Sequence, residues 1–403
     1  MDDFELVVKG IFSAVVGCAS GTGGGAEIPA HYGDYNKIMR YHPYFYILLL
    51  ITLALTACSP QPDEPPTPPF ATQGLVAEYV VTPTVALADW FQVYFTSPAD
   101  PMAEDYVGGP DEALASAIDK ARLSLDVVAY SLNLWSIRDA LLGAWRRGVD
   151  VRMVMESDNM DSDEAEELIA AGIPVLGDRR EGLMHDKFVI IDRQEVWTGS
   201  MNFTTGGAYK DNNNLLHIRS AEVAQDYSRE FEEMFGDDRF GPDSVADTPY
   251  PTLTVGGTSL EIYFSPDDGI AARLVELIQS AQESIYFMAY SFTSNDIGAA
   301  VRERAEAGVT VAGVMDEGQV SSNQGGEYDP FRQAGLDVRL DGNPGLMHHK
   351  VIIIDRAIII TGSYNFSASA ETSNDENLIV IHNPDIAVQY LTEFMRVFGM
   401  AGP

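Results

Sequence analysis

One 22-residue stretch occurs twice, and it constrains the fold of this chain more than any other feature. GLMHDKFVIIDRQEVWTGSMNF runs from Gly182 to Phe203, and GLMHHKVIIIDRAIIITGSYNF runs from Gly345 to Phe366. The two copies agree at 14 of 22 positions, and the residues with reactive side chains recur while most differences involve apolar residues. Two units of about 150 residues are too long and too few for a solenoid. The repeat predicts a duplicated domain folded as an internal pseudo-dimer, whose matching sites meet on the pseudo-twofold axis.

The segments that precede the first copy alternate between strand and helix patterns. The runs at 125–130 and 149–156 are apolar and of strand length. Helical patterns follow them at 136–148 and 161–172, and the second of these has an acidic first turn. This rhythm predicts an α/β fold.

Changes in composition indicate the domain boundaries. The segment at 241–258 is rich in Pro, Gly, Thr and Asp, which predicts a linker. The first half of the duplication is then expected at 74–240 and the second half at 259–403.

The N-terminal region predicts an export signal. Residues 39–57 place basic residues ahead of a short apolar run, which closes with Leu-Thr-Ala and Cys58. This resembles a bacterial lipoprotein signal peptide, which implies a lipid on Cys58 and an outward-facing protein anchored in the bacterial cell envelope. A single transmembrane anchor or a buried helix is the alternative. A Pro-rich linker at 58–73 follows, and residues 1–38 form an extension ahead of Met39, the expected true start.

The charge of the chain argues against one class of substrate. The formal net charge is −35, and only four lysines follow Cys58. Such a chain repels polyanions at long range, which disfavours non-specific binding of nucleic acid. Its two cysteines are too few for a disulfide framework or a cysteine metal site.

Each copy of the repeated stretch is expected to bring polar side chains to one place. His185 and Lys187 are two positions apart and share one face of a predicted strand, as Ser200 and Asn202 do on the next strand. The second copy repeats these spacings with His348, Lys350, Ser363 and Asn365. Where the copies meet, the paired lysines and asparagines suit an oxyanion with spread charge, such as a phosphodiester.

The chemistry expected of such a pocket uses both histidines. One histidine would attack phosphorus and form a covalent phosphohistidine, while the other would protonate the leaving alcohol and later activate water. Because the lysines supply the positive charge, neither a metal nor any other cofactor is expected.

The repeated pattern H-x-K-x4-D-x6-G-S-x-N resembles that of the phospholipase D superfamily. The resemblance covers roughly residues 90–400. It implies two α/β/α sandwich domains with one shared active site, in which His185 would be the nucleophile and His348 the general acid. The motif aspartates, Asp192 and Asp355, join the predicted catalytic set in a structural role, orienting the pocket from behind.

An acid of the family pattern matches Glu376, and the first half has Asn213 at the corresponding place. We group Glu376 with the two serines and two asparagines above as substrate-binding residues. An imidazole held by a carboxylate is more basic than one held by an amide, so the histidines should differ in role, although this leaves open which is which. A zinc site on His348 and His349 is a weaker alternative, because adjacent residues point to opposite faces of a strand.

Three functions remain open at this level. A phospholipase D acting on phospholipid headgroups is favoured, since a membrane anchor concentrates lipid substrate. A metal-independent endonuclease of the same superfamily is the alternative, disfavoured by the net charge. The third is a catalytically silent scaffold of the envelope. The chain is expected to be monomeric, with phospholipid and the membrane as its partners and nucleic acid as a partner that the net charge disfavours.

Overall fold

The computed structural model describes residues 89–322 and 325–402. They belong to one compact unit, Leu75–Pro403. The predicted extension at 1–38, the signal peptide at 39–57, the lipidated Cys58 and the linker at 58–73 all lie outside the described residues. Within 89–322 and 325–402, no helix has the length and apolar character needed to cross a membrane.

The first half forms a mixed seven-stranded sheet. Its strands are β1 (Phe91–Phe95), β2 (Ser124–Ala129), β3 (Asp150–Met155), β4 (Val175–Gly177), β5 (Lys187–Ile191), β6 (Glu195–Gly199) and β7 (Asn214–Arg219). Their order is β1-β7-β6-β5-β2-β3-β4. Strands β2, β3 and β4 are parallel, and the other neighbours pair antiparallel.

Six α-helices accompany this sheet among the described residues. They are α1 (Pro101–Glu104), α2 (Pro110–Ile118), α3 (Trp135–Arg147), α4 (Asp163–Ala170), α5 (Thr205–Tyr209) and α6 (Ala221–Phe235). Helix α3 is followed by Gly148, which takes the left-handed conformation that favours glycine. Helix α4 begins after Ser162, whose side chain accepts from the backbone N–H of Ala165. The four predicted elements between 125 and 172 therefore lie where the sequence patterns put them.

The second half repeats this arrangement with one additional strand. Its strands are β8 (Thr252–Val255), β9 (Thr258–Ser265), β10 (Ser284–Ala289), β11 (Thr310–Met315), β12 (Asp337–Leu340), β13 (Lys350–Ile354), β14 (Ile358–Gly362) and β15 (Glu376–His382). The helices described here are α7 (Ile270–Ser280), α8 (Asn295–Glu306), α9 (Glu317–Ser322), α10 (Tyr328–Gln333), α11 (Ala368–Thr372) and α12 (Pro384–Met400).

The order of the second sheet is β12-β11-β10-β13-β14-β15-β9-β8. Apart from β8, it matches the first sheet read from β4 to β1. Strand β8 lies in the segment at 241–258 that was predicted to be only a linker, and it pairs antiparallel with β9 at the edge of the sheet. The alternation of Thr with Leu and Val in β8 is a strand pattern, which the turn-forming residues around it obscure.

A shared apolar core joins the two halves. Helices α6 and α12 both contribute to this core. The rings of Tyr227 and Phe264 and those of Phe95 and Tyr390 pack across the halves, each pair with centroids 5.2 Å apart. Separate apolar clusters cover the other face of each sheet, with α2, α3 and α4 in one half and α7, α8 and α10 in the other. Each sheet therefore lies between helical layers, which confirms the duplicated α/β/α architecture.

Strand register decides which residues share an edge of each sheet. Ala129 at the end of β2 lies opposite Lys187 at the start of β5, and Ala289 of β10 lies opposite Lys350 of β13 in the same way. His185 and His348 therefore lie at the edge where β2 and β10 end, which we call the histidine edge. The turns that follow β5 and β13 lie at the opposite edge.

Candidate active site

The histidine edges of the two halves meet, because short backbone pairings cross between them. Met184 forms a parallel bridge with Asp375, and Asn212 forms one with Met347. In addition, the backbone N–H of His185 donates to the carbonyl of Asp375 at 2.9 Å. The segment before each histidine is thus held by the segment of the other half that precedes β7 or β15. This crosswise pairing brings the two histidines into one site.

Each histidine is oriented by a side chain of the opposite half. Nδ1 of His185 lies 2.7 Å from Oε2 of Glu376. Nδ1 of His348 lies 3.0 Å from Oδ1 of Asn213 and 3.1 Å from the carbonyl oxygen of Ser200. All three partners are acceptors, so Nδ1 carries the proton in both rings and Nε2 is left with its lone pair.

The orientation of the Asn213 amide is set by its other contacts. Its Nδ2 donates to the carbonyl of Gly207 at 2.9 Å, and its Oδ1 accepts from Oγ of Ser200 at 2.9 Å. Oδ1 is therefore the atom that faces His348. The first-half histidine has a carboxylate behind it, whereas the second-half histidine has only neutral acceptors.

Both lysines of the motif are buried beside the histidines. Nζ of Lys350 donates to the carbonyl of His348 at 2.8 Å, and Nζ of Lys187 donates to the carbonyl of His185. Burial lowers the pKa of Lys187 to about 7, against the opposing charges of Glu376 and Asp186. Burial and then the charge of Lys187 lower the pKa of Lys350 well below its ordinary value. A bound anion would favour the charged form of both ammonium groups.

The same buried environment shifts the pKa values of the two histidines. Burial, followed by the charges of the two lysines, lowers the pKa of His185 and of His348 well below the ordinary value. Burial also raises the pKa of Glu376 to about 7, against the charge of Lys187. Perturbed pKa values of this kind cluster at functional sites. These shifts favour the neutral imidazole in the unliganded site, which leaves Nε2 available as a nucleophile or base. The negative charge of a bound phosphodiester would favour the protonated form of His348.

Ser200 and Ser363 lie behind the histidines rather than in the predicted substrate-binding position. Their hydroxyls accept from the backbone N–H groups of Asn214 and Asn377 at 3.1 and 2.9 Å, and neither serine is exposed. Both follow strands β6 and β14, and are not within them as predicted. The preceding glycines have φ of 146° and 150°, and a Cβ on either would lie within 2.5 Å of a backbone oxygen. Glycine is therefore required before each serine.

Asn202 and Asn365 are predicted site residues whose side chains have no hydrogen-bond partner in the part of the chain that the structure describes. Both are half-buried, and neither Oδ1 has a hydrogen-bond partner among the described residues. A buried amide without a partner is costly unless a ligand or water satisfies it. These two amides are suited to contact a bound substrate.

The motif aspartates lie at the opposite edge of the sheets, away from the pocket. Asp192 accepts from the backbone N–H groups of three consecutive residues, 122–124, at 2.7–3.1 Å. Asp355 accepts from those of 282–284 at 2.7–2.9 Å. A structural role for both aspartates agrees with the resemblance. Their position does not agree with the prediction, which put them behind the pocket and in the catalytic set. A five-residue strand, Lys187–Ile191, separates Asp192 from the site.

The described residues contain no group of three or more His, Cys, Asp or Glu side chains placed to hold a metal ion. Within 89–322 and 325–402, His348 and His349 belong to no such group. Nε2 of His349 instead lies 3.0 Å from Oε1 of Glu393.

Comparison with known proteins identifies the architecture. The family described as cardiolipin synthase, PLD-like domain, matches residues 114–235 and 274–398, which is more than half of the chain. The chain belongs to the phospholipase D superfamily. The two matched regions are the two halves of the duplication.

Individual relatives support the same conclusion. A phospholipase D of Rickettsia bellii is 31% identical over 167 residues, which is 40% of this chain and 83% of that protein. A mitochondrial cardiolipin hydrolase of Chlamydomonas reinhardtii is 33% identical over 32% of this chain and 57% of that protein. The solved phosphatidylserine synthase of Haemophilus influenzae is 13% identical, with a TM-score of 0.58 over 77% of this chain and 87% of its own, and shows likeness of fold alone. The phospholipase D and the cardiolipin hydrolase support a phosphodiesterase of the superfamily.

Two tyrosines of this superfamily member were not predicted as site residues. Tyr130 and Tyr290 pack edge-on against His185 and His348, with ring centroids 4.9 and 4.6 Å apart. Nζ of Lys187 and of Lys350 lie 5.0 and 4.9 Å from the centroids of the same two rings. The signal was present in the sequence, since Ala-Tyr-Ser recurs at 129–131 and 289–291.

The residue between each motif histidine and lysine also crosses to the other half. Oδ1 of Asp186 accepts from Nδ2 of Asn377 at 2.6 Å, and Nδ1 of His349 lies 3.2 Å from Nδ2 of Asn214. Outside the zinc alternative, His349 had no predicted role. In the structure, His349 instead takes part in the contact between the halves. Alignment of the two copies does not reveal this shared role, because Asp186 stands where the second copy has His349.

Proposed function

We propose that this chain hydrolyses the headgroup phosphodiester of membrane phospholipids, with phospholipase D activity. The observation that carries the proposal is the crosswise site. Two imidazoles, each held at Nδ1, meet beside two buried lysines. Lysines and amides suit the non-bridging oxygens of a phosphodiester, and two imidazoles suit a displacement in two steps.

The first step forms a covalent intermediate on His185. Its Nε2 attacks phosphorus, and the bond from phosphorus to the headgroup oxygen breaks. His348, protonated on both nitrogens, donates its Nε2 proton to the departing alcohol. The charge that develops on the non-bridging oxygens lies near Lys187 and Lys350.

The second step releases the product. Water attacks phosphorus, His348 takes one of its protons at Nε2, and the phosphorus–nitrogen bond breaks. Phosphatidate leaves, and both imidazoles return to the states in which they began, with His348 again protonated for the next turnover.

The assignment of the nucleophile follows from charge. A phosphorylated imidazole that keeps its Nδ1 proton carries a positive charge, which a carboxylate stabilises better than an amide. Glu376 lies behind His185, whereas Asn213 lies behind His348. The intermediate is therefore favoured on His185. Since phosphoramidates survive alkali and break in acid, alkali-stable and acid-labile labelling by a phosphate-labelled lipid, lost in His185→Asn, would support this assignment.

Cleavage assays on lipid and nucleic acid test the reaction itself. The purified chain is given vesicles of phosphatidylcholine, phosphatidylglycerol or cardiolipin, and single- or double-stranded DNA, each with and without EDTA. Release of phosphatidate or of a headgroup alcohol, unchanged by EDTA, is the expected result. Cleavage of DNA alone would favour the endonuclease, and cleavage of neither would favour the silent scaffold. Loss of all activity in EDTA would contradict the metal-free mechanism.

We also propose that the protein is lipid-anchored at Cys58 in the bacterial cell envelope. The support is the lipoprotein-like segment at 39–58. Labelling with radioactive palmitate should be incorporated into the wild-type chain and lost in Cys58→Ala. Equal labelling of both chains would overturn the anchor without affecting the proposed reaction.

A further inference from the structure

Four apolar side chains stand exposed together on the first half. Met102, Tyr106, Val107 and Trp135 are 53%, 38%, 42% and 42% exposed. The ring of Tyr106 packs edge-on against Trp135 with centroids 5.5 Å apart, so α3 and the loop after α1 form one surface. We call these four residues the apolar rim. Exposed apolar side chains that cluster mark interaction sites more often than isolated ones do.

The apolar rim lies on the histidine edge. Trp135 begins α3, which follows Tyr130, the tyrosine that packs on His185. The backbone N–H groups of Asn133 and Leu134 donate to the carbonyl of Phe203, the residue after Asn202. Tyr106 also packs on Tyr209 of α5, with centroids 5.5 Å apart. The rim therefore flanks the mouth of the site.

Among the residues described in the second half, the rim has no counterpart. Residues 96–109 separate β1 from α2, whereas only residues 266–269 separate β9 from α7. Asn295 stands at the start of α8 where Trp135 stands at the start of α3. Since the duplicated fold forms without these apolar residues in one half, the fold does not require them in the other.

Another exposed apolar side chain lies on the second-half side of the site. Leu346 is 39% exposed and precedes His348 by two positions. Its carbonyl accepts from the backbone N–H of Asn212 at 2.7 Å, next to Asn213. Apolar side chains thus stand on two sides of the pocket mouth.

We propose that the apolar rim docks the active site onto a bilayer of zwitterionic phospholipid. The inference rests on the proposed function, because the substrate then lies in the surface to which the rim binds. Aromatic and aliphatic side chains at one edge are the chemistry that enters the boundary between headgroups and acyl chains.

The charge around the rim selects among lipid surfaces. Asp100, Glu104, Asp105 and Glu112 surround it and are exposed. No lysine or arginine occurs between Ser97 and Asp119. A surface bearing anionic lipid would repel this segment, since attraction to such lipid depends on clustered basic residues. The same charge disfavours single-stranded nucleic acid, which could otherwise stack on the aromatic rings.

Tryptophan fluorescence provides a direct test on the full chain. The four tryptophans are Trp90, Trp135, Trp145 and Trp197, and of these Trp135 alone is exposed. Vesicles of phosphatidylcholine with brominated acyl chains should quench Trp135, and the quenching should be lost in Trp135→Asn. Leu123→Asn is the matched control, because Leu123 is 70% exposed but lies at the opposite edge, beside Asp192. Phosphatidylglycerol vesicles should quench less at low salt.

Kinetics separate docking from catalysis. The rate on phosphatidylcholine vesicles should fall roughly tenfold in Trp135→Asn, in keeping with the loss of one large interfacial side chain. The rate on short-chain phosphatidylcholine below its critical micelle concentration should stay unchanged. Val107→Ser provides a second variant, expected to shift the vesicle rate in the same direction if Trp135→Asn fails to fold.

Each outcome decides one proposal. Lipid-dependent quenching of Trp135 without cleavage of any lipid would overturn the proposed function and leave the docking surface in place. Cleavage of vesicles at the same rate by wild type, Trp135→Asn and Val107→Ser would overturn the docking surface and leave the function in place. Quenching equal or stronger with phosphatidylglycerol, or caused by single-stranded DNA rather than lipid, would also overturn the zwitterionic docking surface.

Discussion

At the scale of single residues, the site is asymmetric where its two halves are otherwise alike. The histidines, lysines and tyrosines match in kind and in position, but Glu376 faces His185 and Asn213 faces His348. A carboxylate stabilises an imidazolium that persists, whereas an amide orients a ring without holding it charged. One histidine is therefore suited to carry the phosphoryl group and the other to exchange a proton.

Removal of the carboxylate should weaken the covalent step. Glu376→Gln keeps an acceptor for Nδ1 of His185 but removes the negative charge behind the phosphorylated ring. We expect kcat to fall about 100-fold, short of the roughly 10⁴-fold loss that follows when a histidine takes the wrong tautomer. The measurement is headgroup release under saturating substrate. An unchanged kcat would show that the charge of Glu376 plays no part.

Addition of a carboxylate behind the other ring should change the pH profile. Asn213→Asp places a negative charge against His348, which favours the protonated imidazole and raises its pKa. The first step requires protonated His348, so activity should persist to higher pH than in wild type before it declines. The control is Asn212→Asp, one residue away. A profile that does not move, or moves to lower pH, would argue that His348 is not the proton donor.

At the scale of elements, the spacing repeated in the two copies stabilises the sheet as well as positioning the site. The turns after β5 and β13 each place two consecutive residues at positive φ, between 50° and 58°. Asp192 and Asp355 then tie these turns to the residues that lead into β2 and β10. Burial acts to raise the pKa of Asp355, but its backbone donors outweigh this and lower it. The aspartates thus fix the start of the strands that end at the site.

Loss of the hydrogen bonds that Asp192 accepts should reduce stability more than catalysis. Asp192→Asn tolerates the positive φ but replaces charge-assisted hydrogen bonds with neutral ones. We expect the free energy of unfolding to fall by about 1–2 kcal/mol, measured by urea denaturation, with kcat within about threefold of wild type. Gln194→Ala, in the same turn, is the control. A large loss of kcat at unchanged stability would return Asp192 to the catalytic set.

At the scale of the whole molecule, one chain contains a complete site. The crosswise contacts Glu376–His185 and Asn213–His348 join halves that share a single core. A mutation in either half therefore disables the same pocket. That the protein acts as a monomer stays an expectation, which variants of the two halves can test.

Mixing of inactive variants tests that expectation. His185→Asn and His348→Asn should each abolish turnover, because each removes one of the two imidazoles. An equimolar mixture should also be inactive, since no chain in it has both. Recovery of activity on mixing would show that halves of different chains pair with one another. Size-exclusion chromatography with light scattering should give the mass of one chain.

The sequence determined the duplication, the alternation of strands and helices, and the polar residues of each copy, because these depend on local periodicity and on a repeat that two aligned stretches reveal. Tertiary structure decided their partners. Sequence placed a carboxylate at Glu376 but not against His185, since that contact crosses from one half to the other. Ser200 and Asp192 share the motif with His185, yet the carbonyl of Ser200 contacts His348 of the other half and Asp192 lies at the far end of β5. Strand spacing separates neighbours in sequence, while packing of the two sheets joins residues far apart, and only the folded chain shows which effect governs each residue.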